Sequence, residues 1–134
     1  MLAGVAIVYA SRRQKCIALS STEAEIIAAS AASCEVSYVR QLLFELGLPP
    51  SGPTVLNVDN SGAIELSRDR KSCNRSRHVD RRFFKVRELE CEGIVTVKHV
   101  PTDDNVADIL TKALPIDAFS RHRAALLNLA PDMA

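Results

Sequence analysis

The stretch LSSTEAEIIAA, residues 19–29, constrains the local fold more than any other part of the chain. An apolar run stops at two serines and a threonine, and strong helix-forming residues follow. Ser20 with Glu23, and Thr22 with Glu25, both have the hydroxyl-to-carboxylate spacing of a capping box. One glutamate closes the box, and the other is then a spare carboxylate at a strand-to-helix junction, where a metal ion could bind. On this stretch alone, Glu25 fits a metal ligand and a helix cap equally well.

Strand and helix patterns alternate along the chain. Apolar residues that alternate or form short runs predict strands, and apolar residues that recur every three or four positions predict helices. The predicted order is strands at Ala3–Ala10 and Lys15–Leu19, a helix at about Thr22–Leu46, a strand at Thr54–Val58, helices at about Ser61–Arg68 and Val79–Glu90, a strand at Ile94–Val100 and a helix at about Asn105–Leu114 that ends at Pro115. This order indicates an α/β fold, in which a right-handed crossover makes the last two strands parallel.

The apolar positions of the two longest predicted helices define their expected inner faces. The first face consists of Ile27, Ala31, Cys34, Tyr38, Leu42 and Leu46, and the second of Val79, Phe83, Val86 and Leu89. We expect these side chains to be buried, because apolar stripes of this period face a core. Residues 1–114 are expected to form one domain, and residues 115–134 a C-terminal tail.

Composition argues against several classes of protein. No apolar run approaches the roughly 20 residues that a membrane-spanning helix needs, so no membrane partner is expected. The apolar opening, residues 1–10, lacks the basic segment of a signal peptide. The four cysteines, at positions 16, 34, 73 and 91, form no C-x-x-C pair, which argues against a zinc site. Scattered, reduced thiols indicate an intracellular protein.

Positive charge is concentrated between Arg68 and Arg87. This segment has nine basic and two acidic residues, a net charge of +7, whereas the rest of the chain has eight basic and fourteen acidic residues, a net charge of −6. A basic block on a slightly acidic body is typical of a protein that binds a polyanion. A solvated, charged helix face explains the same pattern without a partner.

Three acidic residues share one sequence context, near the start of a predicted helix and close to the end of a strand. They are Glu25, Asp59 and Asp108. Because such positions converge at one edge of a parallel sheet, their carboxylates could bind Mg²⁺ together with substrate phosphates. Two such ions activate the attacking water and stabilise the leaving oxygen in phosphodiester hydrolysis. The alternative is that each acid only caps its helix or stabilises the helix dipole, although Asn60 or Ser61 could supply the cap near Asp59.

Four segments carry a family resemblance: LSSTEAEIIAAS, LNVDNSGAIELS, RSRHVDRRFFKVRE and HVPTDDNVADILTKAL. In this order they resemble the C-terminal end of Ty1/copia-type retrotransposon Pol polyproteins, the ribonuclease H region after the reverse transcriptase. The resemblance is collinear from about Gly4 to Leu114. It implies a ribonuclease H-like fold, with a five-stranded mixed sheet and flanking helices. It also implies metal-dependent hydrolysis of the RNA strand of RNA–DNA hybrids during reverse transcription.

The resemblance further implies the residues of the site and its surroundings. By motif position, Glu25, Asp59 and Asp108 are similar to the second, third and fourth members of the family's D-E-D-D set, as catalytic residues and metal ligands. An intact domain would hold two Mg²⁺ ions, or Mn²⁺ in their place. The upstream reverse transcriptase would be a partner, and the location would be intracellular, in a cytoplasmic virus-like particle or the nucleus.

The first member of that set has no counterpart, because every aspartate in this sequence lies at or after Asp59. The resemblance therefore implies that the first, central strand of the sheet is missing from this chain. Its absence would leave backbone groups unpaired on both sides. We expect a truncated or degenerate copy, or a fragment of a longer polyprotein, that is inactive alone.

Nucleic-acid contacts are expected within the basic block, where His78 also matches the copia pattern. The expected set is Arg75, Arg77, His78, Arg81, Arg82, Lys85 and Arg87. His99 is expected to be a strand residue without a catalytic role. A non-catalytic module that binds nucleic acid is the main alternative to an enzyme, because phosphate contacts need no metal. A relic without function is the other.

Overall fold

The computed structural model describes residues 4–14, 17–62 and 77–129. The chain divides into two compact units. One is Ile17–Val100, and the other combines Met1–Cys16 with Pro101–Ala134. The described residues combine α-helices, two short 3-10 helices and a small parallel sheet, which confirms the predicted mixed α/β class.

The longest element is helix α1, Ser21–Glu45, which agrees with the predicted helix to within one residue at each end. It begins at the N-cap Ser20 and ends before Gly47, whose φ of +75° lies in the left-handed region that favours glycine. Neither α1 nor any other helix within the described ranges is long and apolar enough to cross a membrane.

The buried face of α1 differs from the predicted one. Ile26, Ser30 and Ser33 are buried, whereas Ala31, Cys34, Tyr38, Leu42 and Leu46 of the predicted stripe are exposed and Ile27 is half-buried. The exposed fractions of Tyr38 and Leu46 are 68% and 64%. Ser33 can be buried because its hydroxyl donates to the carbonyl oxygen of Ala29 at 2.7 Å. The small serines permit close packing, which hydropathy alone does not predict.

Strand β1 is Thr54–Val58, and strand β2 is Val95–His99. They pair in parallel, as predicted, with Thr54 opposite Val95 and Val58 opposite His99. The backbone N–H of Val100 donates to the carbonyl oxygen of Val58 at 3.0 Å, so the pairing continues to the carboxyl end of the sheet. The ends of both strands are therefore held in register.

Helix α2, Arg77–Cys91, follows β1 in the chain and precedes β2. The predicted burial of Val86 and Leu89 is confirmed, whereas the side chains of Val79 and Phe83 lie outside the described residues. A hydrophobic cluster joins α1, α2 and one sheet face, and consists of Ile26, Val58, Val86 and Val97 with Ala29 and Leu56 against them. The opposite sheet face, with Val55, Asn57 and Lys98, is exposed.

The two predicted N-terminal strands are absent from residues 4–14 and 17–19, so that part of the topology is wrong. Their apolar side chains are exposed, with exposed fractions of 76% for Tyr9 and 90% for Ile17. Val5 alone forms a bridge pair, and the N–H of Ala6 donates to the carbonyl oxygen of Leu126 at 3.0 Å. A strand needs a continuous neighbour for its backbone groups, and within the described residues this segment has none.

The last predicted helix is also different. Residues Thr102–Asp104 and Val106–Leu110 form two 3-10 helices, and Pro115 starts helix α3, Ile116–Leu127, instead of ending a helix. Asn105 caps the second 3-10 helix by accepting from the N–H of Ala107 at 3.3 Å. Proline suits the start of a helix because its missing N–H would have no partner there.

Candidate functional site

The first turn of α1 resolves which glutamate closes the cap. The Ser20 hydroxyl accepts from the N–H of Glu23 at 3.1 Å, and the Glu23 carboxylate accepts from the N–H of Leu19 at 2.7 Å. Two of the backbone donors at the helix start are thereby satisfied. Glu23 is therefore the capping acid, and Glu25 lies half-buried one turn into the helix.

The carboxyl end of β1 lies against this first turn. Asp59 follows the strand directly and is half-buried. The next residue, Asn60, donates from Nδ2 to the Thr22 hydroxyl at 3.4 Å. A Cβ added to Gly62 would meet the same two side chains, 3.2 Å from Asn60 Oδ1 and 3.6 Å from Thr22 Oγ1. Asp59 therefore adjoins the helical turn that leads to Glu25, and Gly62 packs closely against Asn60 and Thr22.

Asp108 lies in the other unit, in the first turn of the 3-10 helix Val106–Leu110. Its carboxylate is paired with the Lys112 ammonium, with 2.7 Å between Oδ2 and Nζ. Asn105 makes a longer contact from Nδ2 to Asp108 Oδ1 at 3.4 Å. The side chain of Asp108 is 10% exposed, and that of Lys112 is 51% exposed. Asp108 is therefore a nearly buried carboxylate whose charge is balanced by a cation from its own segment.

The predicted metal site remains a prediction. In the ranges 4–14, 17–62 and 77–129, no three His, Cys, Asp or Glu side chains are grouped so that they could hold a metal ion. The donor chemistry nevertheless fits Mg²⁺, which proteins usually bind through one or two carboxylates, leaving places for water and phosphate. The cation that lies next to the Asp108 carboxylate in this structure is the Lys112 ammonium.

Sequence analysis missed the two side chains that contact Asp108. Lys112 follows Asp108 by four residues, the spacing at which opposite charges meet on a helical turn. That signal is present in VADILTK. Asn105 occupies the N-cap position, for which asparagine is favoured. Both contacts can therefore be predicted from sequence spacing if the turn is known to start at Val106.

Part of the predicted nucleic-acid surface lies on α2. Arg82, Lys85 and Arg87 are half-buried on this helix. The side chains of Arg77, His78 and Arg81 on the same helix, and all of Arg75, lie outside the described residues. Lys85 donates to Glu88 at 2.8 Å, and this hydrogen bond raises the pKa of Lys85 above its usual value. Lys85 thus remains a cation at neutral pH, although Glu88 partly offsets its charge.

His99 is exposed at the end of β2, in the strand position that the sequence predicts. It lies opposite Val58, at the same end of the sheet as Asp59. Among the described residues, none makes a side-chain hydrogen bond with His99 that would orient its ring for proton transfer. We therefore keep His99 outside the candidate catalytic set.

Sequence comparison finds relatives among transposon polyproteins of plants. The chain is 39% identical over 116 residues to the retrovirus-related Pol polyprotein from transposon TNT 1-94 of Nicotiana tabacum, a match that covers 87% of this chain and 9% of that polyprotein. It is 37% and 36% identical over 111 residues to the Pol polyproteins from transposons RE2 and RE1 of Arabidopsis thaliana. Each of these matches covers 83% of this chain and 8% of the polyprotein.

The chain therefore spans less than a tenth of the length of these relatives. No protein-family model matches it, and no solved structure matches it. The similarity extends over most of the chain and so includes both units. The chain is thus similar to one segment of these retrotransposon Pol polyproteins.

Proposed function

We infer that this chain, whose homologues are retrovirus-related Pol polyproteins of plant transposons, is the ribonuclease H segment of a copia-type polyprotein. The proposed domain covers residues 1–114, and the proposed substrate is the RNA strand of an RNA–DNA hybrid. The observation that carries this proposal is the similarity along 87% of the chain, which spans the positions of STEAE, VDN and VADILTK. The fold class, with α1 and α2 packed on a parallel strand pair, is compatible with it.

In this proposal Glu25, Asp59 and Asp108 are the metal ligands. Bound Mg²⁺ would supply an activated water and neutralise charge on the scissile phosphate. The chain's own contribution is placement of the carboxylates. The Ser20–Glu23 cap fixes the first turn of α1, and the Asn60–Thr22 contact joins that turn to the residue after Asp59.

The basic residues of α2 have the second role in this proposal. Arg82, Lys85 and Arg87 would hold phosphates of the hybrid away from the reacting bond, because phosphate contacts position a nucleic acid without reading its sequence. Arginine suits this role, since its planar fork donates two hydrogen bonds to one phosphate. The remaining members of the set, Arg75, Arg77, His78 and Arg81, extend the same basic block in the sequence.

A second candidate is a module that binds the hybrid without cleaving it. The observation that favours it is that the described residues contain no group of three metal-ligating side chains. Phosphate contacts from α2 would persist without a metal, and their strength would fall steeply with salt. The two candidates therefore differ in their response to Mg²⁺ and to loss of Asp59.

The test is an incubation of residues 1–134 with a labelled RNA–DNA hybrid, in Mg²⁺ and in EDTA, with circular dichroism to establish folding. Mg²⁺-dependent cleavage that Asp59→Asn or Asp108→Asn removes, and that Asp117→Asn retains, supports the enzyme. Asp117 is a matched control because it is an exposed aspartate in the first turn of α3. Salt-sensitive binding without cleavage by a folded sample supports the second candidate. A folded sample with neither activity contradicts both cleavage and binding by the isolated chain.

A further inference from the structure

We propose that Lys112 is the internal counter-cation of Asp108 and competes with divalent cations for that carboxylate. The inference deepens the proposed function and rests on it, because it takes Asp108 as a metal ligand. It makes Lys112 a positioning residue: the ammonium holds Asp108 before the metal arrives and must leave when the metal binds.

The local backbone brings the lysine back over the aspartate. The N–H groups of Thr111 and Lys112 both donate to the carbonyl oxygen of Asp108, at 3.0 and 2.9 Å. These two hydrogen bonds form a turn at the end of the 3-10 helix. Because Lys112 follows Asp108 by four residues, the turn brings its side chain back toward the aspartate. The ammonium then lies 2.7 Å from Asp108 Oδ2.

Burial gives the two partners different roles. The Asp108 side chain is only 10% exposed, and a carboxylate removed from water needs a partner to remain charged. Lys112 is 51% exposed, so its side chain reaches water. If the contact is lost, the aspartate requires another cation.

A divalent cation at Asp108 would meet the lysine charge directly. An ammonium within about 5 Å of a dication repels it, and removal of one unit charge at that distance changes affinity by roughly tenfold even when water screens the interaction well. The pair Lys85–Glu88 provides the contrast. Both of its side chains are about half exposed, at 44% and 56%, and it involves no residue of the proposed metal site.

The first experiment measures Mn²⁺ and Mg²⁺ affinity by calorimetry for residues 1–134. We expect Lys112→Met to bind roughly tenfold more tightly than the unmodified chain, and Lys112→Arg to remain close to it because the charge is kept. Lys98→Met removes the same charge from an exposed position on β2 and should leave the affinity unchanged. Asp108→Asn should weaken binding whichever residue stands at 112.

A second readout needs no variant, so it does not depend on the folding of any mutant. Lysine acylation, quantified for each site by mass spectrometry, should be slow at Lys112 without metal and several-fold faster in saturating Mg²⁺, while Lys85 should not change. Equal metal affinity of the unmodified chain and Lys112→Met, or an unchanged acylation rate, would overturn the competition and leave Asp108 as a ligand. No metal binding by any variant would overturn both the ligand role and the competition.

Discussion

A single hydroxyl determines where the longest helix begins. Ser20 has extended backbone and accepts from the N–H of Glu23, so α1 starts at the next residue. We expect Ser20→Ala to lower the free energy of unfolding by about 1 kcal/mol, because one backbone donor at the helix start loses its partner. Urea denaturation followed by circular dichroism measures the change.

The matched control is Ser21→Ala, which removes the hydroxyl of an exposed serine in the first helical position. It should change the free energy of unfolding by less than about 0.5 kcal/mol. Equal destabilisation by the two substitutions would contradict the assignment of Ser20 as the cap.

Individual positions also show how far the sequence predicts the site. Two hydroxyl–carboxylate pairs with identical spacing begin at Ser20 and Thr22, and spacing alone leaves them equivalent. The choice depends on which residue keeps extended backbone before the helix, and pattern analysis places a helix end only to within one or two residues. The separate status of Glu23 and Glu25 therefore follows from the structure, although both were candidates from the sequence.

The elements differ in how well local pattern determines them. The apolar patterns of strands β1 and β2 predict both strands correctly. In the structure, their residues Val58, Val95 and Val97 are buried on one face of the sheet. The residues before α1 carry a similar pattern and yet form no strand in the described segments 4–14 and 17–19. A strand depends on its neighbour for hydrogen bonds, and the sequence of one segment does not specify that neighbour.

The face of α1 is the clearest element-level test. Ile26 is 4% exposed in the cluster with Val58, whereas Leu42 is 43% exposed. We expect Ile26→Ala to lower the free energy of unfolding by about 2–5 kcal/mol, because it removes buried methyl groups and leaves a cavity. Leu42→Ala should change it by only about 0.5 kcal/mol.

Alanine has a higher helix propensity than leucine and isoleucine, and the gain is larger at isoleucine, so helix propensity cannot explain a larger loss at Ile26. Thermal or urea unfolding of the two variants beside the unmodified chain gives the comparison. A larger loss at Leu42 than at Ile26 would restore the face predicted from the sequence and contradict the observed packing.

For the whole molecule, the net charge of +1 conceals a strongly uneven distribution. The segment from Arg68 to Arg87 carries +7, and the rest carries −6. The sequence alone predicts this polarity, because it depends only on composition along the chain. It does not predict which of these cations reaches a phosphate, since that depends on their placement on α2 and in neighbouring residues. Nor does it determine whether carboxylates distant in the chain converge, so the predicted grouping of the three acids remains a prediction.

The salt dependence of binding shows which of these cations contact phosphate. If the basic block contacts the backbone of an RNA–DNA hybrid, the logarithm of the binding constant should fall linearly with the logarithm of salt concentration. Arg87→Gln should make that slope shallower by about one, because one phosphate contact no longer releases a counterion. Lys98→Gln is the matched control: it also removes one positive charge, but from an exposed position on β2 outside the block. Fluorescence anisotropy over a salt series measures both slopes. Equal slopes for the two variants would mean that only the total charge matters and that α2 is not the contact surface, whereas a change confined to Arg87 would assign the phosphate contacts to that helix.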